Sequence, residues 1–209
     1  MRQTTKALSI IALTAATCWA AGSAAAFFSL PRALKLQRDR ISFEEPTLPP
    51  IGHTMFCMRY PDDCRVYGAD FRKRNVAMTT ERLNELNAVN RQVNRDIAPQ
   101  PNFGRAPERW VVSPAAGDCN DYAVTKRHEL LARSWPSRAL LLSEVVVPSG
   151  EHHLVLVVRM RDRDTGRGAD LVLDNLNANL RPVGLTSYQW VRAESPRDPK
   201  FWSTVHVPS

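Results

Sequence analysis

The sequence predicts an α+β fold, with helices early in the chain and an antiparallel sheet after them, on three observations. Leu83, Leu86, Val89, Val93 and Ile97 recur at spacings of three and four, the period of an amphipathic helix. A second helical stretch, Ala123 to Leu131, follows Gly117-Asp118-Cys119-Asn120-Asp121-Tyr122. Beyond it the pattern changes to short apolar runs at 139–147, 153–159 and 170–174, bounded by turn-forming residues.

The chain begins with Arg2 and Lys6, an uncharged run from Ala7 to Ala21, and Ala24-Ala25-Ala26, the parts of a cleavable secretory signal peptide at 1–26. The apolar run is short for a membrane span of roughly 20 residues, so a cleaved leader is favoured over an anchor. No later stretch is long and apolar enough to span, which leaves a periplasmic or secreted protein that does not cross the membrane after cleavage. Residues 27–50, with Pro31, Pro46, Pro49 and Pro50, are read as a poorly ordered N-terminal arm, helical around Arg32 to Arg38. One domain is expected over 51–209, long enough for a single core. Within it, 51–74 is expected to be a cysteine-bounded loop and a linker.

The formal charge is +7, and cleavage removes Arg2 and Lys6 from that excess. The remaining basic residues are scattered, with no stripe interleaved with aromatics, which excludes a nucleic-acid partner. A mildly basic surface suits an acidic partner or an anionic membrane face.

The first helix is predicted over about Thr79 to Ile97, capped by Thr79 or Thr80 and ended by Pro99 and Pro101. Asn84, Asn87, Asn90, Arg91 and Asn94 line its other faces and are read as solvated. Residues 98–117 form a Pro-rich connection carrying Trp110, which either floors a substrate groove or packs in the core. Pro148-Ser149-Gly150 turns the first strand pair and Asp162 to Gly168 the second. The acidic turn Asp162-Arg163-Asp164-Thr165-Gly166 lacks the glutamate an EF-hand needs, since Leu173 stands there, and is read as a plain hairpin turn. From Tyr188 to Trp202 one more strand is expected, followed by irregular packing anchored by Trp190 and Trp202.

Four cysteines are present, and Cys18 leaves with the signal peptide. Cys57 and Cys64 enclose a short turn-rich loop, and in an oxidising compartment they read as a disulfide. Cys119 is then the odd thiol. With Asp118 as N-cap it stands in the first turn of a helix, where unpaired backbone N–H groups and the positive dipole end favour a thiolate. The competing reading is a buried structural thiol. A cysteine left outside a disulfide in an exported protein favours the nucleophile.

A thiolate nucleophile needs an imidazole to exchange the proton and a carboxylate or amide to orient that imidazole. A cysteine at a helix start followed by an antiparallel sheet is the order of parts in papain-like and transglutaminase-like enzymes. His153 heads the strand Leu154-Val155-Leu156, and Asp174 closes Leu171-Val172-Leu173. Pairing His153 directly with Asp174 centres the hairpin between residues 163 and 164, inside the expected turn. The geometry predicts a Cys119–His153–Asp174 triad. His152 competes for the base, but strand alternation points it to the opposite face. Asp174-Asn175 also has the composition of a turn cap. His53, His128 and His206 lack a partner pattern and are read as surface residues.

Taken together, Phe56-Cys57, Cys64, Trp110, Gly117-Asp118-Cys119-Asn120-Asp121-Tyr122-Ala123, Lys126, His153-Leu154-Val155-Leu156 and Val172-Leu173-Asp174-Asn175-Leu176 resemble the bacterial transglutaminase-like cysteine proteinase family over roughly 51–205. The resemblance implies a papain-like fold with N-terminal helices packed on an antiparallel sheet, and a triad of Cys119, His153 and Asp174. The implied activity is that of a cysteine peptidase acting on a protein or peptide substrate. In the best-understood relatives the substrate is a surface adhesin and a membrane-bound cyclic-dinucleotide sensor is the regulator. The chemistry itself requires no cofactor. The resemblance also implies calcium, with Asp118, Asn120 and Asp121 at the positions of its ligands, Asn120 standing where the family has glutamate. Two other readings share the residues: acyl transfer to an amine, as in a transglutaminase or amidase, and a non-catalytic periplasmic binding module.

Overall fold

The computed structural model describes residues 40–66, 76–100, 109–161 and 166–207. The expected signal peptide, the arm up to residue 39 and most of the turn after residue 161 lie outside the described residues. The described helices are α1 (Ile51–Arg59), α2 (Thr80–Asp96) and α3 (Cys119–Ala132). The strands are β1 (Ser42–Thr47), β2 (Val76–Ala77), β3 (Ala98–Pro99), β4 (Ala116–Gly117), β5 (Leu140–Val146), β6 (His152–Arg161), β7 (Gly168–Leu173), β8 (Arg181–Pro182), β9 (Gln189–Glu194) and β10 (Trp202–His206).

The main sheet has the order β1-β10-β9-β5-β6-β7-β8, all antiparallel. The exception is β2, which pairs parallel with the end of β6 through Val76 and Met160, where β5 no longer reaches. The sheet is therefore mostly rather than wholly antiparallel. Alternation assigns its side chains to two cores. Leu140, Leu142, Leu154, Leu156, Leu171 and Leu173 pack with the helices, whereas Leu141, Val145, Val155, Val157 and Val172 form a second cluster with Ile41 and Val205. Burial on both faces explains why β6 is apolar from Leu154 to Val158.

The period that predicts α2 also fixes its buried face: Leu83, Leu86, Val89 and Val93 are all in the core. Each such side chain contributes about 1.5–3 kcal/mol of burial free energy. Thr79 caps the helix by accepting the Arg82 N–H, and Ile97 turns extended into β3. Helix α3 lies between α2 and the sheet and is buried without a break from Asn120 to Arg127. A helix enclosed on all sides loses its polar stripe, yet α3 keeps Lys126 and Arg127 inside.

Three expectations fail. Ser42–Thr47, inside the segment read as a poorly ordered arm, is a strand of the sheet paired with β10. Residues 51–59, read as loop, form α1, whose inner side buries Gly52, His53 and Phe56. The tail provides two strands, β9 and β10, rather than one.

Candidate active site

The loop before α3 is built around Asp118 and Asp121. Asp118 is the N-cap and Asp121 reaches back to its N–H, a capping box that uses aspartate where glutamate is usual. The other Asp121 oxygen accepts the Val111 N–H at 2.7 Å, which ties the Trp110 segment to the helix start. Gly117 is required here, because a Cβ would collide with the Asp121 carboxylate. This frame presents Cys119 as the first residue of α3, half-buried and outside any disulfide.

Cys119 lines a cleft with His152 and His153. On one side lies a hollow of about 160 Å³ walled by Pro50, Trp110, Glu144 and Arg192. On the other lies an open groove of about 620 Å³ bounded by Gln100, Tyr122, Val147, Glu151 and Leu176. Trp110 is core-buried and also lines the cleft. Its indole lies so close to α1 that Gly52 admits no Cβ.

The two adjacent histidines differ. His152 is exposed and its Nδ1 lies 2.6 Å from Glu144 Oε1, while Glu144 Oε2 accepts from Arg192 Nε at 2.5 Å. His153 is buried and its Nε2 lies 2.8 Å from Asp174 Oδ1. The register is not the one expected. Leu156 pairs with Leu173, so continuing the ladder sets Asp174 across from Val155, two residues from His153. A shift of one would have turned the carboxylate to the other face, whereas a shift of two preserves the face. Asp174 also accepts the Leu176 N–H at 3.0 Å, as the turn-cap reading expects.

Burial alone would raise the Asp174 carboxyl. The hydrogen bond and charge of His153, with the Tyr188 hydroxyl and the Leu176 N–H, outweigh that and hold it at about 2. Behind it Lys126 is enclosed, its ammonium 5.7 Å from the centre of the Tyr122 ring; burial lowers its pKa to about 7 against the opposing pull of Asp174.

The residues that fix Asp174 escape a reading of the sequence. Asn90, buried rather than solvated, accepts the Asp174 N–H at 3.1 Å and donates to the carbonyls of Asn177 and Ala178. Asn94 donates to the Asp174 carbonyl at 2.9 Å. Their spacing of four on α2 marks one face, but nothing local names the loop that face holds. His53, expected at the surface, is buried and bonded to Glu194 at 3.0 Å. His128 and His206 are partly exposed, facing Asp63 and Glu44. Cys57 and Cys64 form a disulfide with Cα atoms 5.5 Å apart.

The residues at the expected calcium position fit that ion poorly. Both Asp121 oxygens accept backbone N–H groups, and an Asp118 oxygen accepts the Asn120 N–H at 2.9 Å. Asn120 is neutral, and calcium takes six to eight oxygens, with carboxylates contributing most of the charge.

A helix-borne cysteine sharing a cleft with a histidine–carboxylate pair at the strand ends of a mostly antiparallel sheet is the architecture of a cysteine peptidase of the transglutaminase-like class. Residues 43–209 match the bacterial transglutaminase-like cysteine proteinases (BTLCP), and the chain belongs to that family. Among solved structures it is similar to LapG of Legionella pneumophila, with 22% identity over 53% of this chain and 62% of that one, at a TM-score of 0.44. The calcium-bound form of LapG gives 21% identity, 57% and 67% coverage and a TM-score of 0.46. The EGTA-treated form gives 23% identity, 53% and 61% coverage and a TM-score of 0.43. The chain thus spans less than two thirds of the length of the first of these. A comparison with curated proteins finds no match. No helix among the described residues is long and apolar enough to cross a membrane.

Proposed function

We propose that this cysteine peptidase is exported by the signal peptide at 1–26 and cleaves a peptide bond with Cys119, His153 and Asp174. The observation that carries the reading is the contact of His153 Nε2 with Asp174 beside a cleft that His153 and Cys119 both line, with Nδ1 as the nitrogen we assign to proton exchange. His153 takes the Cys119 proton, and the thiolate attacks the peptide carbonyl carbon. The Cys119 backbone N–H at the start of α3 stabilises the oxyanion. As the C–N bond breaks, His153 returns its proton to the leaving amine and a thioester remains. Water, deprotonated by His153, then cleaves the thioester and the thiol recovers its proton. Asp174 orients the imidazole and stabilises its charged form throughout.

The substrate we propose is a periplasmic or surface protein, of the kind an adhesin represents, laid extended across the cleft, with a membrane-bound regulator as a further partner. Family membership supports a protein substrate. Calcium at Asp118, Asn120 and Asp121 is at most a weak ligand and is not required for the chemistry. The test is labelling of the purified protein with a thiol-directed activity probe near neutral pH. Fast labelling at Cys119, lost in His153→Ala, is expected; no labelling of the folded protein overturns the reading. A primary amine added with a cleavable peptide distinguishes hydrolysis from transfer, since a transferase yields the amine conjugate.

A further inference from the structure

The carboxylate of Asp174 has two oxygens, and they serve different partners. Oδ1 faces His153 Nε2, while Oδ2 accepts the hydroxyl of Tyr188 and, at 3.3 Å, the Asn177 side-chain amide. The Asn177 amide also lies 3.4 Å from the Tyr188 oxygen. An amide N–H can only donate and an ionised carboxylate can only accept, so the phenol proton has one destination, Asp174. The Tyr188 ring stands edge-on to the His153 imidazole, with centroids 6.2 Å apart and planes at 65°. One side chain therefore touches both members of the histidine–carboxylate pair without lining the cleft.

We propose that Tyr188 is a positioning residue of the peptidase site: its hydroxyl fixes the Asp174 carboxylate and its ring edge fixes the tilt of His153, so that the imidazole stays aimed at Cys119. The inference rests on the reading that these three residues react together. Without the hydroxyl, Asp174 keeps the Leu176 N–H on Oδ1 but only the 3.3 Å Asn177 amide on Oδ2, so its plane is held less firmly against Nε2 and the imidazole is held less firmly with it. A thiolate–imidazolium pair is sensitive to such tilt, because small displacements of a reacting group from its productive geometry cost large factors in rate. Burial, followed by the hydrogen bond and charge of Asp174, pushes the Tyr188 hydroxyl above its ordinary range, so it remains a donor throughout the working pH range.

The charged and titratable groups facing Asp174 are His153 from β6, Tyr188 from the segment before β9 and Lys126 from α3. Asn90 and Asn94 from α2 and Asn177 from its own loop are neutral, and Arg181 of β8 acts on Tyr188. Lys126 is retained in every protein compared.

The test is the pH dependence of Cys119 alkylation by iodoacetamide in the wild type, Tyr188→Phe and His153→Ala, with Tm measured for each. The wild type is expected to alkylate with a midpoint well below that of an ordinary thiol. Tyr188→Phe keeps the ring, and its midpoint is expected to rise by about one unit, which lowers the rate about tenfold at pH values under the midpoint. A wild-type midpoint retained in Tyr188→Phe overturns the positioning role alone, whatever happens to Tm. An ordinary thiol midpoint in the wild type, unchanged in His153→Ala, overturns the peptidase reading and this inference with it.

Discussion

Two buried histidine–carboxylate pairs stand among the described residues, and their near-identity is instructive. His153 lies 2.8 Å from Asp174 and His53 lies 3.0 Å from Glu194, each through Nε2. The side chains are 7% and 2% exposed, so burial does not separate them. Their surroundings do. His53 is closed in by the edges of Trp110 and Trp202, at 5.8 and 5.2 Å, with Cys57 Sγ 3.5 Å from Nε2. Glu194 accepts the Leu142 N–H and faces Arg127, so its charge is answered within the core. His153 instead lines an open cleft that Cys119 also lines. A histidine–carboxylate pair is a common structural device, and access to a nucleophile is what gives it chemistry.

The largest contrast is expected in activity. His153→Ala should lower peptide cleavage by about a thousandfold or more, as loss of a general base does, while His53→Ala should retain cleavage within a few-fold when assayed below its Tm. Equal losses in both, measured on folded protein, would erase the functional distinction between the pairs. Stability should rank them in the reverse order. Glu194→Ala strands Arg127 and His53 in the core and should cost about 3–5 kcal/mol in denaturant unfolding.

The pH dependence of stability sharpens the same contrast. The folded Asp174 pKa of about 2 lies below the value of about 3.9 expected in the unfolded chain. A depressed carboxylate contributes stability that is complete above the unfolded pKa and lost as pH falls through the folded one. Unfolding free energy should therefore fall by about 2 kcal/mol between roughly pH 5 and pH 2 on account of this residue. Asp174→Asn should flatten that part of the curve; an unchanged slope would refute the assignment.

Two smaller effects belong to the closed pair and to the mouth of the cleft. Replacing Cys57 and Cys64 with alanine opens a short loop and should cost about 2 kcal/mol while leaving Cys119 alkylation unchanged. Exchanging millimolar calcium for EGTA should change alkylation by less than about twofold. A larger calcium effect would mean that Asp121 leaves its backbone partners to bind the ion.

Much of the site was legible because its signals are local. The spacing of Leu83 to Val93 fixed a helix, Asp118 before Cys119 marked a helix start, and two apolar runs flanking a polar turn made a hairpin. What escaped was written in distant residues. Ser42–Thr47 carries two glutamates and Pro46, which hide a strand whose partner is β10. His53 looked solitary because Glu194 lies 141 positions away. Tyr188 gave no sign, since a tyrosine in a tail gains a role only when the fold brings Asp174 to its hydroxyl. The hairpin register missed by two because a turn's composition fixes its place less tightly than its length, and His153 and Asp174 met regardless through side-chain reach.

The pairing of β1 with β10 sets the order in which the molecule can be completed. Ser42 lies opposite His206 and Thr47 opposite Trp202. During synthesis the earliest strand has nothing to pair with until residues 202–206 have emerged, so the sheet closes only at the end, with contacts of large sequence separation that fold slowly. Until then β9 presents an open edge and β1 hangs unpaired, both invitations to another chain. A protein whose first strand must wait for its last is one whose nascent form is best kept apart from its own kind.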